Sequence, residues 1–178
     1  MNVPAQILER AARIRLAVFD VDGVLTNGSL ILGENGNEYK IFHVHDGLGL
    51  VMLREAGIEV AVISARSSSI VSERMAALGI DYISQGQNNK REALLSLTDR
   101  LGIAPEHASF TGDDLIDLPA MTRVGLPIAV ANAHPRVREH AAWVTTKAGG
   151  QGAVREICEL LLQAHGLLEN AFQRYLDV

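Results

Sequence analysis

The sequence predicts an α/β fold: three layers, with a parallel sheet covered by helices on both faces. Two observations carry this expectation. Short apolar runs rich in β-branched residues alternate with stretches of helical character along most of the chain, which is the order that builds βαβ units. The strand-like runs are also apolar throughout rather than alternating, as strands must be when both of their faces are covered.

Taken in order, strands are expected at 15–19 (RLAVF), 59–63 (EVAVI), 82–83, 108–111 (ASFT), 128–130 (IAV) and 143–145. Helices are expected between and after them at 47–56, 68–78, 90–101, 118–124, 135–140 and 152–165. One segment breaks the rhythm: 28–44, GSLILGENGNEYKIFHV, has two strand-like halves around Asn35-Gly36, a strong hairpin signal. This hairpin insert is too small to be a domain. Gly149, Gly150 and Gly152 lack the spacing of a phosphate-binding P-loop and its following lysine, and read as the lead-in to a helix. The tail, 166–178, is a second amphipathic piece, free at its end or docked on a neighbour.

A chain of 178 residues suits one domain, 1–178, with a core of ordinary size. Its charged fraction of 21% and net charge of −5, without a cluster of Lys and Arg, give no reason to expect nucleic acid or a membrane surface as partner. No apolar run approaches the roughly 20 residues of a membrane helix. The N-terminus, charged and amphipathic, lacks the apolar core and cleavage site of a signal peptide, so a cytoplasmic location is expected. The one cysteine, Cys158, excludes an internal disulfide and reads as a buried thiol within EICELLL.

Function is carried by the residues just beyond the strand ends. LAVFDVDGVLT, 16–26, ends an apolar run in Asp20 and Asp22. In extended chain these two point to the same side, and two carboxylates facing one small volume call for a cation, for which hard oxygen ligands suit Mg²⁺. Gly23 then gives a tight turn and an N–H without side-chain bulk. A polar turn is the plain alternative for this piece alone. After the next strand come Ser64, Ala65 and Arg66, a hydroxyl and backbone N–H able to hold a phosphate oxygen. Lys90 opens a helix, and after another strand come Asp113, Asp114 and Asp117, more carboxylates than capping needs. Ligands in open α/β sheets bind at the carboxyl ends of strands. The four pieces therefore converge on a complete phosphoryl-transfer site.

This pattern resembles the haloacid dehalogenase superfamily of aspartyl-nucleophile phosphatases, with DVDGVLT as its first motif, Ser64 its second, Lys90 its third and GDDLID its fourth. More closely, DVDGVLTNGSL, VHDGLGLVML, GDDLIDLPAM, VGLPIAVANAHPRVREHA and GGQGAVREICELLL resemble the capless group of 3-deoxy-D-manno-octulosonate 8-phosphate phosphatases. The resemblance implies a Rossmann-like sheet without a cap domain. It implies Mg²⁺ held by Asp20, the Asp22 carbonyl and Asp113, with Asp114 or Asp117 behind them, acting through water or positioning Lys90. It implies Asp20 as nucleophile, Asp22 as general acid and base, and Ser64, Lys90 and the Gly23 backbone on the phosphate oxygens. It further implies a small-molecule sugar-acid phosphate as partner, a role in lipopolysaccharide precursor synthesis, and a homotetramer in which each hairpin helps cover a neighbour's site.

By the same resemblance His43, Val44, His45, Asp46 and Gly47 contact substrate, with Arg66 and Arg74 meeting its carboxylate or hydroxyls. Several relatives carry arginine where this chain has Val51, and other polar residues at 43 and 45. A related nonulosonate 9-phosphate is therefore the alternative substrate, and a non-catalytic phospho-ligand-binding subunit a further alternative. A phospho-accepting receiver module uses the same residue types in another order, with its lysine last, whereas Lys90 precedes the second acidic cluster.

Overall fold

The computed structural model describes residues 3–176. Six strands form one parallel sheet, in the order 82–84, 59–63, 16–19, 108–112, 126–129 and 143–144 across it. They are β1 (Leu16–Phe19), β4 (Glu59–Ile63), β5 (Tyr82–Ser84), β6 (Ala108–Gly112), β7 (Leu126–Ala129) and β8 (Trp143–Val144). The three central strands are buried almost end to end, only Glu59 lying exposed, which accounts for their continuous apolar character. The chain leaves β1 for β4 on one side and later returns to place β6 on the other, each pair in parallel register. The carboxyl end of β1 is thus the switch point of the sheet, where open α/β folds bind ligands.

Among the described residues, eight helices surround the sheet: α1 (Ala5–Ala11), α2 (Val44–Glu55), α3 (Ser69–Ala77), α4 (Lys90–Leu101), α5 (Leu118–Met121), α6 (Pro135–His140), α7 (Ala153–Ala164) and α8 (Leu168–Gln173). α1, α2 and α7 pack together, as do α4, α5 and α6. The core runs through both groups, and Cys158 lies fully buried within it. No helix among the described residues is long and apolar enough to cross a membrane.

Several elements differ from expectation. The amphipathic N-terminus forms α1, which buries Ile7 and Ala11, one turn apart. α2 begins at Val44 rather than 47, because His43 caps it, its Nδ1 accepting from the His45 amide. The helix expected over 118–124 is shorter. A single 3₁₀ turn, Leu115–Asp117, leads into α5, and the chain then turns away as the Gly125 amide donates to the Pro105 carbonyl at 3.2 Å. The hairpin pairs only β2 (Ile31–Leu32) with β3 (Glu38–Tyr39). Asn35 and Gly36 both take positive φ at its turn, as the Asn-Gly signal requires. No cap is inserted among the described residues between β1 and β4, where only the hairpin and α2 lie. The tail includes α8, and its last two positions, 177 and 178, lie outside the described residues.

Candidate active site

Beyond β1, Val21–Leu25 make one wide turn, closed by the Thr26 amide donating to the Val21 carbonyl at 3.0 Å. Gly23 sits within it at φ +99°, where an L side chain is strained. A Cβ there would lie 2.1 Å from Asp113 Oδ2, so the bend in the acidic loop and the approach of the second acidic cluster both need this glycine. Gly149 backs the same turn so closely that an added Cβ would fall 1.6 Å from the Gly23 carbonyl oxygen. The glycine lead-in to α7 is therefore also a buttress for the loop that carries Asp22.

The centre of the site is ionic. Lys90, the first residue of α4, is only 1% exposed. Its Nζ lies 2.7 Å from Asp20 Oδ1 and 2.5 Å from Asp117 Oδ1. Asp117 is itself fixed by its other oxygen, which accepts from the amides of Asp113 and Asp114 at 3.0 and 3.1 Å. Asp114 caps the 3₁₀ turn through the Leu115 amide. Three carboxylates, from Asp20, Asp113 and Asp117, bring oxygens within 4.8 Å of one another, with Lys90 the cation bound among them.

This crowding sets the titration. Burial, and then the Asp117 charge, push Asp20 up to about 7 despite the pull of Lys90. Burial, followed by the charges of Asp117 and Asp20, raises Asp113 to about 7 as well. Burial opposes the charge on Lys90, but the Asp20 and Asp117 carboxylates outweigh it and hold the lysine above its ordinary value.

A cavity of about 270 Å³ opens over this cluster, lined by Asp20, Asp22, Ser64, Ala65, Arg66, Lys90, Asp113 and Asp114, and also by Gly28, Leu30 and Ile116. The Ser64 hydroxyl accepts from the Arg66 amide at 3.3 Å, leaving its own proton to donate into the cavity. Four separate sequence pieces thus meet in one crevice. Gly23 adjoins it through Asp22, and Asp117 through its ion pair with Lys90.

The other expected contacts lie outside this lining. Asp46 is buried, its oxygens accepting from the amides of Gly152 and Arg155 at the start of α7. Gly47 lets Arg74 close in, since a Cβ there would lie 2.4 Å from Nη2. Val44 is exposed at the start of α2, beside the half-buried capping ring of His43. His45 borders a larger, separate cavity of about 690 Å³ beside Trp143 and Arg155. Size therefore does not mark the chemistry, because the larger space lacks the carboxylate cluster. Two residues at the site escaped sequence reasoning. Lys40 and Glu38 of the hairpin reach Asp22 and Arg66. The signal available was their i, i+2 spacing, which puts both on one face of an extended strand.

The oxygen-only donor set suits a hard divalent cation. Asp113 Oδ1 is buried with no hydrogen-bond partner, and the acidic cluster outnumbers its lysine. Fold and site together define a class, the phosphohydrolases whose site is built from aspartates at the switch point of a parallel sheet.

Comparison with known proteins agrees. The family profile of haloacid dehalogenase-like hydrolases matches residues 79–157. The 3-deoxy-D-manno-octulosonate 8-phosphate phosphatase KdsC of Escherichia coli K12 is 49% identical over 95% of this chain and 90% of its own. The crystal structure of the same-named phosphatase from Moraxella catarrhalis, in complex with magnesium, phosphate and KDO, superposes with a TM-score of 0.94 at 44% identity, covering 96% of this chain and 98% of that one. A cobalt-bound form from Haemophilus influenzae gives 0.88 at 40% identity, covering 92% and 99%. The chain belongs to the haloacid dehalogenase-like hydrolases, within the family of 3-deoxy-D-manno-octulosonate 8-phosphate phosphatases. It is a phosphoric monoester hydrolase.

Proposed function

We propose that this chain, as one phosphatase domain over 1–178, hydrolyses 3-deoxy-D-manno-octulosonate 8-phosphate to the free sugar acid and phosphate, a step of lipopolysaccharide precursor synthesis in the cytoplasm. The observation that carries the reading is the convergence of Asp20, Lys90, Asp113 and Asp117 at the carboxyl end of β1. The identity to phosphatases of that name supports the choice of ester.

In this reading an Asp20 oxygen attacks phosphorus. The P–O bond to the sugar breaks, and Asp22 delivers its proton to the departing sugar oxygen. Asp22 then takes a proton from the water that attacks the phosphorus of the aspartyl phosphate, releasing phosphate and Asp20. Ser64, Lys90 and the Gly23 amide hold the remaining phosphate oxygens. Asp117 anchors Lys90 and the amides of Asp113 and Asp114. Asp20, the Asp22 carbonyl and Asp113 would hold Mg²⁺, which neutralises charge between two anions when bound.

The hairpin and the start of α2 leave Leu30, Leu32, Ile41 and Val44 exposed, an apolar surface suited to burial between copies. A homotetramer is the proposed assembly. In it, Val44 and His45 of one copy face a neighbour's cavity beside the capping His43, while Asp46 holds that stretch in place through the amides of Gly152 and Arg155.

The test is phosphate release from the eight-carbon ester with and without Mg²⁺, against a nonulosonate 9-phosphate competitor. Release should require Mg²⁺ and favour the eight-carbon acid; release from the nine-carbon ester alone would move the substrate. The metal should also show a pH signature. Asp20 and Asp113 have folded values near 7, above the ordinary 3.8. The metal-free fold therefore holds more protons than the unfolded chain between about pH 4 and 7, and loses stability as pH rises through that window. Mg²⁺ needs the ionised carboxylates, so the rise in Tm on adding it should be small at about pH 5.5 and grow through 7 to about pH 8. An equal rise at both ends would contradict this account.

A further inference from the structure

Lys40, just after β3 on the hairpin, has a side chain only 2% exposed, although it projects from an otherwise open element. Its Nζ donates to Asp22 Oδ1 and lies 3.4 Å from Glu38 Oε1. That same Glu38 oxygen accepts from Arg66 Nη2 at 3.0 Å, and Arg66 Nε lies 3.8 Å from Asp22 Oδ2. Two carboxyl groups and two cations thus close a ring of contacts. Asp22 comes from the loop after β1, Arg66 from the loop after β4, and Glu38 and Lys40 from the hairpin.

The ring is asymmetric about Asp22. The contact from Lys40 is a direct hydrogen bond, made by a lysine that has given up nearly all of its water. The contact from Arg66 is long, and that side chain is half exposed. A buried lysine keeps its charge only with a partner, so this geometry has Lys40 committed to Asp22. A carboxyl group held firmly by one oxygen, with the other loosely held at the cavity to carry the proton, has a fixed direction. Proton delivery to a leaving oxygen depends on that direction.

We propose that Lys40 is a positioning residue for Asp22. Through it the hairpin aligns the proton-donating carboxyl group with the leaving-group oxygen, and the insert is part of the acid machinery as well as a cover. The proposal rests on the reading of Asp22 as general acid, and deepens it. Lys40 touches neither the phosphate nor the sugar in this account.

The experiment compares wild type, Lys40→Met and Lys40→Arg by kcat/KM, which reports the phosphoryl-transfer half of the reaction alone. The substrates are aryl phosphates of rising leaving-group pKa, from p-nitrophenyl phosphate upward, and the sugar-acid 8-phosphate. A good leaving group needs no proton. With p-nitrophenyl phosphate, Lys40→Met should therefore lose no more than about threefold, which also shows that the variant is folded. The loss should climb along the series to about 100-fold with the sugar ester, within the range that general acids supply. Lys40→Arg should restore most of it.

A loss uniform across the series would overturn the proposal and make Lys40 a structural or phosphate-holding group. A loss confined to the sugar ester, with no trend among the aryl esters, would overturn it in favour of sugar contact. Wild type inert on every ester would instead overturn the phosphatase reading on which the proposal stands.

Discussion

Asp20→Asn should abolish phosphate release, with a loss of about 10⁴-fold or more, because removing a covalent nucleophile removes the route rather than lowering its efficiency. The amide keeps the shape and still accepts a hydrogen bond from Lys90, but its oxygen is a poor nucleophile towards phosphorus. The fold should not suffer in return. The Asp20 carboxyl is pushed up to about 7 by its burial and by Asp117, so near pH 8 the ionised group costs the metal-free fold stability. The metal-free variant should therefore melt no lower than wild type at that pH. Phosphate assays and thermal melts on the same preparation separate the two effects. An active variant, or one inactive only because it has unfolded, would contradict the assignment.

Lys90→Met should do the opposite to the fold. The substitution keeps the apolar bulk and removes the charge held between Asp20 and Asp117 at 2.7 and 2.5 Å. Two buried carboxylates then face each other without their cation, and breaking a buried ion pair from one side costs about 3–5 kcal/mol. Urea melts of the metal-free protein at pH 8 should show a loss of that order. The loss should shrink towards pH 5, where Asp20, with its raised value, is protonated. Phosphate release should fall by about 100-fold or more, since Lys90 also serves an oxygen of the phosphate. Unchanged melts at both pH values would mean that the lysine does not hold the acidic cluster together.

Much of this was legible in the sequence for local reasons. LAVF, EVAVI and ASFTG read as strands because each is continuously apolar or small, and a strand covered on both faces leaves that record. The acidic loop read as a site because carboxylates at strand ends lie where an open sheet binds its ligand. The hairpin read from Asn35-Gly36 because only a few residue pairs tolerate two positive φ values in succession.

The hidden part is non-local. Asp46 looked like part of a substrate-facing stretch, but its carboxylate reaches the amides of Gly152 and Arg155, more than 100 residues away. No local pattern marks that partner. The grip of Lys40 on Asp22 across the hairpin is of the same kind. Helix α5 came out shorter than expected because Gly125 is held by a carbonyl from the loop before β6, a tertiary contact that overrides local helical preference.

The most direct test of the account is to mix the enzyme with Mg²⁺ and the sugar-acid 8-phosphate, quench in acid within milliseconds, and map phosphorylated residues by mass spectrometry. A transient phosphoryl group is expected on Asp20 and on no other residue, decaying as free phosphate appears and missing in Asp20→Asn. Phosphate on another side chain, or turnover at full rate with no phosphoprotein at any time, would contradict it.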